Sequence, residues 1–196
     1  MTDLATEEPR TTPPSVLTFL AHRWPTLCGL AAMAVSVLDM TTEMDDGRSQ
    51  GLVVFLAALI YLATAVVGRP GVAWPLFGVS VVAVTLLRLL DVQLWTALVA
   101  SAVAIAIVGL AVGLLRGPRL SAAQVPAMLV FGGAALAALS LDPALGSYLV
   151  AAALIGHAVL DTIAWRARKV VTRSLAEFCA VLDLTLGLAI IVLQVI

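Results

Sequence analysis

Residues 94–115 read LWTALVASAVAIAIVGLAVGLL, a stretch in which no side chain carries a charge. A bilayer core about 30 Å thick is crossed by roughly 20 apolar residues of α-helix, so this run is long enough to span it. Long apolar runs of this kind replace the two-residue alternation of a membrane β-barrel strand. Hydrocarbon offers the backbone no hydrogen-bond partners, and a helix satisfies its own within one segment. The stretch therefore predicts a transmembrane helix, and runs like it recur along the chain. Seven are predicted: Thr18–Met40, Gly51–Val67, Gly71–Leu90, Leu94–Leu115, Ala122–Leu139, Ala144–Trp165 and Val170–Val195. The fifth and sixth are separated only by Ser140–Leu141–Asp142–Pro143, which leaves six spans as the alternative count. Asp142 before Pro143 is a helix-start signal and favours two separate spans.

Composition agrees. Of 196 residues, 62% are hydrophobic and 12% charged, and mean hydropathy is +1.09. A water-soluble domain carries about 25% charged residues, so a chain this apolar cannot cover a wet surface. The expected fold class is an all-α polytopic membrane bundle. Residues 1–15, with Asp3, Glu7, Glu8, Pro13 and Pro14, read as a disordered cytoplasmic tail, and 16–196 as a single transmembrane domain. A net charge of −1 gives no basic face for nucleic acid. The expected partner is the lipid bilayer, with a second membrane protein or another copy of the chain as a further one.

Orientation follows from the basic residues. Arg10, Arg23, Arg69, Arg116, Arg119, Arg166, Arg168, Lys169 and Arg173 fall at one set of span ends, and only Arg48 and Arg88 at the other. Positive charge concentrates on the cytoplasmic side, which puts the N-terminus inside and the C-terminus outside. Trp24, Trp74, Trp95 and Trp165 sit near predicted ends, as interfacial aromatic residues do. Residue usage rich in Ala, Val, Leu and Gly, with Arg preferred over Lys, suggests a bacterial source and hence the plasma (inner) membrane.

Several functions can be set aside. The sole lysine, Lys169, lies in a predicted loop, so no retinal-type Schiff base forms inside the bundle. There is no phosphate-binding loop, nucleophile elbow or CxxC pair. Cys28 and Cys179 are too few for a disulfide framework and read as small buried hydrophobes. No cofactor is expected.

What remains is a set of polar residues at membrane depth, each costing about 2.5–3.5 kcal/mol on insertion scales unless paired or hydrated. His157 and Asp161 are one turn apart on the sixth span, and Glu177 and Asp183 lie on the seventh, Asp183 near mid-span. Burial disfavours the charged form of each group, so these four are expected to form a protonatable cluster. Glu177 and Asp183 are six residues apart, about 240° around a helix, so both cannot face one partner squarely. The structural alternative pairs Arg173 with Glu177, Arg166 or Lys169 with Asp161, and His157 with Asp183. A zinc-like site on the same residues is a third reading, disfavoured by the single intramembrane His and the lack of an HExxH pair, so no metal is expected.

Two further groups stand out. Arg88 and Asp91, with Asp39, are expected to form an outer-side ion pair, with Glu43, Asp45 and Asp46 in a solvated loop. Gly109 and Gly113, four apart, fit a close helix crossing. Tyr61 reads as a packing residue. The functional expectation is a small proton-, ion- or solute-handling permease or sensor built on His157, Asp161, Glu177 and Asp183. Its rivals are a structural subunit of a membrane complex with Gly109 and Gly113 at the interface, and an intramembrane lipid-modifying enzyme.

Overall fold

The computed structural model describes residues 23–42 and 47–195. The predicted tail, Arg10, the predicted span start at Thr18, and Glu43, Asp45 and Asp46 lie outside the described residues. The described residues contain no strand, and seven of their helices are long and apolar enough to cross a membrane. These are α1 Trp24–Thr42, α2 Gly51–Val67, α3 Ala73–Leu89, α4 Leu94–Ala111, α5 Gln124–Ala138, α6 Pro143–Ala167 and α7 Arg173–Val195. Helical turns precede α2, α3 and α5 and lengthen those spans to Arg48–Val67, Pro70–Leu89 and Arg119–Ala138.

The count of seven rests on the break between α5 and α6. Asp142 caps α6, its carboxylate accepting from the Leu145 N–H at 3.1 Å. Pro143 follows at the first helical position, where its missing N–H would have had no partner. The fourth helix ends sooner than its hydropathy suggests. α4 stops at Ala111, and Gly113 turns the chain at φ 80°. Hydropathy cannot see this boundary, because the apolar run continues through the turn.

Helix α2 occupies the centre and is the most buried span, packing against α3, α4, α5, α6 and α7. The α6–α7 hairpin forms the largest contact, and α1 lies along α7. Helices α3 and α4 sit on the opposite flank and expose Val79, Leu89, Val103 and Ile107. An apolar exterior of this extent is compatible with contact with lipid.

Aromatic and polar side chains tie the starts of α1, α3 and α7 to the end of α6. Trp24 and Trp74 stack with centroids 5.2 Å apart, and the Trp74 indole donates to Ser174 Oγ at 2.9 Å. The Arg173 guanidinium lies 4.1 Å over the Trp165 ring. Four of the predicted basic span ends are thereby gathered at one end of the bundle.

The glycine pair divides. A Cβ on Gly109 would meet Val66 Cγ2 at 2.9 Å, so this residue lets α4 approach α2. Gly113 has nothing within 4 Å and serves the turn instead. The expected Gly109/Gly113 crossing face is therefore corrected to one packing glycine and one turn glycine. Gly113→Ala is expected to cost about 1–2 kcal/mol, because a Cβ in left-handed backbone meets the following carbonyl. Gly133→Ala, in open space within α5, is expected to be neutral or stabilising by up to about 1 kcal/mol. Equilibrium unfolding in mixed detergent micelles checks the contrast, and equal effects would contradict it.

Candidate functional site

Near the middle of α6, His157 points into the bundle with Asp161 one turn further along, and Asp183 faces them from the middle of α7. His157 Nδ1 lies 3.0 Å from Asp183 Oδ2 and 3.2 Å from Asp161 Oδ2. All three residues have 0% relative exposure. Two carboxylates thus address one ring nitrogen, which has a single N–H to give. With both carboxylates ionised and the imidazole protonated, the cluster still carries one uncompensated negative charge. No arginine or lysine among the described residues pairs with either aspartate.

Aromatic rings close the sides. Tyr61 from α2 and Phe131 from α5 meet the imidazole edge to face, with centroids 5.2 and 5.0 Å away. Gly156 makes room for Phe131, since a Cβ there would lie 3.2 Å from Phe131 Cε1. Gly187 does the same for the helix crossing, where a Cβ would lie 3.0 Å from the Ala151 carbonyl oxygen. Small residues on α6 and α7 therefore bring the two backbones close enough for Asp183 to reach His157.

The cluster is polar beyond what its contacts satisfy. Asp161 Oδ1, Asp183 Oδ1, His157 Nε2 and the Tyr61 hydroxyl are buried without a hydrogen-bond partner among the described residues. Tyr61 is fully buried. Leaving a buried polar group unpaired costs about 1–3 kcal/mol, so four at one place call for an explanation. His157, Asp161 and Asp183 are also the group among the described residues whose candidate metal-ligand atoms come together, all within 4.8 Å of one another.

Towards the basic end lies an open surface cavity of about 380 Å³ lined by Arg23, Trp24, Pro25, Trp165, Arg173, Ser174 and Glu177. Trp165 is one helical turn from Asp161, and its indole nitrogen is buried and unpartnered.

The predicted cluster of four is a cluster of three. Glu177 faces α1, accepting from Thr26 Oγ1 at 2.6 Å and pairing with Arg23 at 3.5 Å. The physical reason is angular: the α7 face that carries Glu177 is covered by α1, and the face that carries Asp183 by α6. Arg173 stacks on Trp165 in place of the pairing expected with Glu177. Asp161 bonds to His157, leaving Arg166 and Lys169 exposed at the helix end.

The outer-side ion pair does not form. Arg88, Asp91 and Asp39 are all exposed, and no ion pair joins them among the described residues. Asp39 rides on α1 beside α7, whereas Arg88 ends α3 on the other flank; Asp91 sits in a left-handed turn at φ 53°. Cys28 is exposed on α1, against its expected burial, and Cys179 is buried. Tyr61, expected as a packing residue, packs against the cluster, and the available signal was a phenol in the middle of a span whose other hydroxyl, Thr64, bonds to its own helix at the Ile60 carbonyl.

Comparison of the chain with family models, curated proteins and solved structures returns no match. The reading of function therefore rests on the site.

Proposed function

We propose that this chain is a multi-pass plasma-membrane protein of the bacterial inner-membrane type that holds a cation, proton or metal ion, at its core. It works as a small ion-handling permease or sensor, with the nine basic span-end residues and the N-terminus on the cytoplasmic side. One observation carries the reading: Asp161 and Asp183 converge on a single imidazole nitrogen in a fully buried place. Two carboxylates that share one imidazole, with no arginine or lysine paired to either among the described residues, make a cation-seeking site, and ionisable residues inside a membrane bundle are the usual material of ion pathways. In this reading the ion enters from the basic end, where an open cavity is lined by Trp165, one helical turn from Asp161. The structural-subunit rival has less support, because Gly109 packs inward on Val66 and offers no partner face.

The test is flux into proteoliposomes loaded with proton- or metal-sensitive dyes. Wild type is expected to carry flux under an imposed gradient, and Asp183→Asn to lose at least about 90% of it, as removal of a buried ion-pathway carboxylate should. Wild type and variant that both give no flux would end the permease reading.

A further inference from the structure

We infer that the cluster is a binding site for a divalent first-row transition-metal ion, with His157, Asp161 and Asp183 as ligands and the Tyr61 hydroxyl beside the remaining position. The inference deepens the cation-handling reading by naming the ion class, and rests on it only for the location of the site.

Three observations support it. The first is spacing. Zinc and its neighbours bind imidazole nitrogen and carboxylate oxygen at about 2.0–2.2 Å, which sets tetrahedral donors roughly 3.3 Å apart. His157 Nδ1 lies 3.0 and 3.2 Å from the two carboxylate oxygens, near that spacing, and the candidate ligand atoms of all three residues lie within 4.8 Å of one another, so binding an ion would draw the two carboxylates together. The second is charge. Two carboxylates and a neutral imidazole carry two negative charges, which a divalent ion cancels. A proton on the imidazole cancels only one, and the other then needs a second proton on a carboxylate, so one divalent ion replaces two protons.

The third is the set of polar atoms without partners. Asp161 Oδ1, Asp183 Oδ1 and the Tyr61 hydroxyl are all buried without a hydrogen-bond partner among the described residues. Tyr61 comes from a different helix, and its ring packs edge-on against the His157 imidazole at 5.2 Å, so its unpartnered hydroxyl adds a polar atom from outside α6 and α7. The donor set selects the ion. One imidazole with carboxylates suits zinc, manganese, iron and cobalt. Calcium and magnesium prefer six or more oxygens or retained water, which aromatic walls do not provide.

The experiment loads the full-length protein, purified in detergent and stripped with chelator, with Zn²⁺ or Co²⁺ alone. Bound metal is counted by mass spectrometry, and coordination is followed through the visible spectrum of Co²⁺. Wild type is expected to bind about one ion per chain with a low-symmetry Co²⁺ spectrum, and to ignore Mg²⁺ and Ca²⁺. Asp183→Asn and Asp161→Asn should lose the ion, while Tyr61→Phe should keep it with an altered spectrum and about 10–100-fold weaker affinity. Wild type without stoichiometric metal overturns the inference, and so does equal binding by both Asn variants, which would place the ion elsewhere. Proton flux without metal binding would retain the cation reading and remove the metal; metal binding without flux would do the reverse for transport.

Discussion

His157→Leu is expected to destabilise the protein by about 3–5 kcal/mol, because removing one partner of a buried ionic group strands the others. Asp161 and Asp183 would then face each other inside the bundle with no donor between them, since both already share the one ring nitrogen. The informative comparison is the triple variant H157L/D161L/D183L. Apolar replacement of a whole buried ionic set is often neutral or stabilising by about 1–4 kcal/mol. The triple variant should therefore recover most or all of the stability that His157→Leu loses, while binding no cation. Equilibrium unfolding in mixed micelles measures the first effect and metal or proton uptake the second. A triple variant as unstable as the single one would mean that the cluster holds the helices together, and the functional reading would lose its ground. A neutral His157→Leu would be equally damaging, since the imidazole could not then be the group that both carboxylates depend on.

The same comparison bears on why the cluster sits where it does. Asp183 and His157 lie close to the middle of their helices, where burial costs most and a chain selected only for packing would place Leu or Val. Tyr61 and Phe131 also lie near the middle of α2 and α5, so four helices contribute to one buried polar place. The neighbouring core positions show the ordinary solution: Leu154, Leu186 and Ile190 on the same two helices are fully buried and apolar. The other buried polar residues, Gln50, Thr64, Gln124 and Ser147, carry no ionisable side chain, so His157, Asp161 and Asp183 are where charge enters this core.

How much of this was legible in the sequence depends on which axis of the helix is asked about. Depth was legible. Hydropathy and span length gave the seven helices, and counting along the seventh put Asp183 near its middle. Spacing along one helix was legible too, since His157 and Asp161 at four residues share a face. Neighbours around the helix were not. Glu177 has the depth of Asp161 yet belongs to the Arg23–Thr26 contact, because α1 covers its side of α7. Arg88 and Asp39 have matching depths on the other side, yet α1 and α3 lie on opposite flanks of the bundle. Each span is apolar nearly all round, so its sequence carries little record of which face meets which neighbour. Gly113 shows another limit: a turn within an apolar run leaves no mark on hydropathy.

Gly187→Leu is expected to damage the site without touching its chemistry. A Cβ there would come within 2.9 Å of Ile155 Cγ1 and 3.0 Å of the Ala151 carbonyl oxygen. The isoleucine can shift, but the carbonyl is backbone in the middle of α6, so the longer side chain forces α6 and α7 apart. Overpacking of this kind typically costs about 1–3 kcal/mol. Asp183 is one turn of α7 from Gly187, so separation of the helices draws its carboxylate away from His157. The 3.0 Å contact has little slack, since a hydrogen bond is lost beyond about 3.5 Å. Cation binding should fall at least about tenfold, equivalent to roughly 1.4 kcal/mol. Gly133→Leu on α5, with nothing within 4 Å of its Cβ, controls for bulk in the bilayer and should leave binding unchanged. If Gly187→Leu and Gly133→Leu bind the cation alike while Asp183→Asn does not, the carboxylate acts without its close approach to His157. The geometry that brings two acids onto one imidazole would then be incidental to the function.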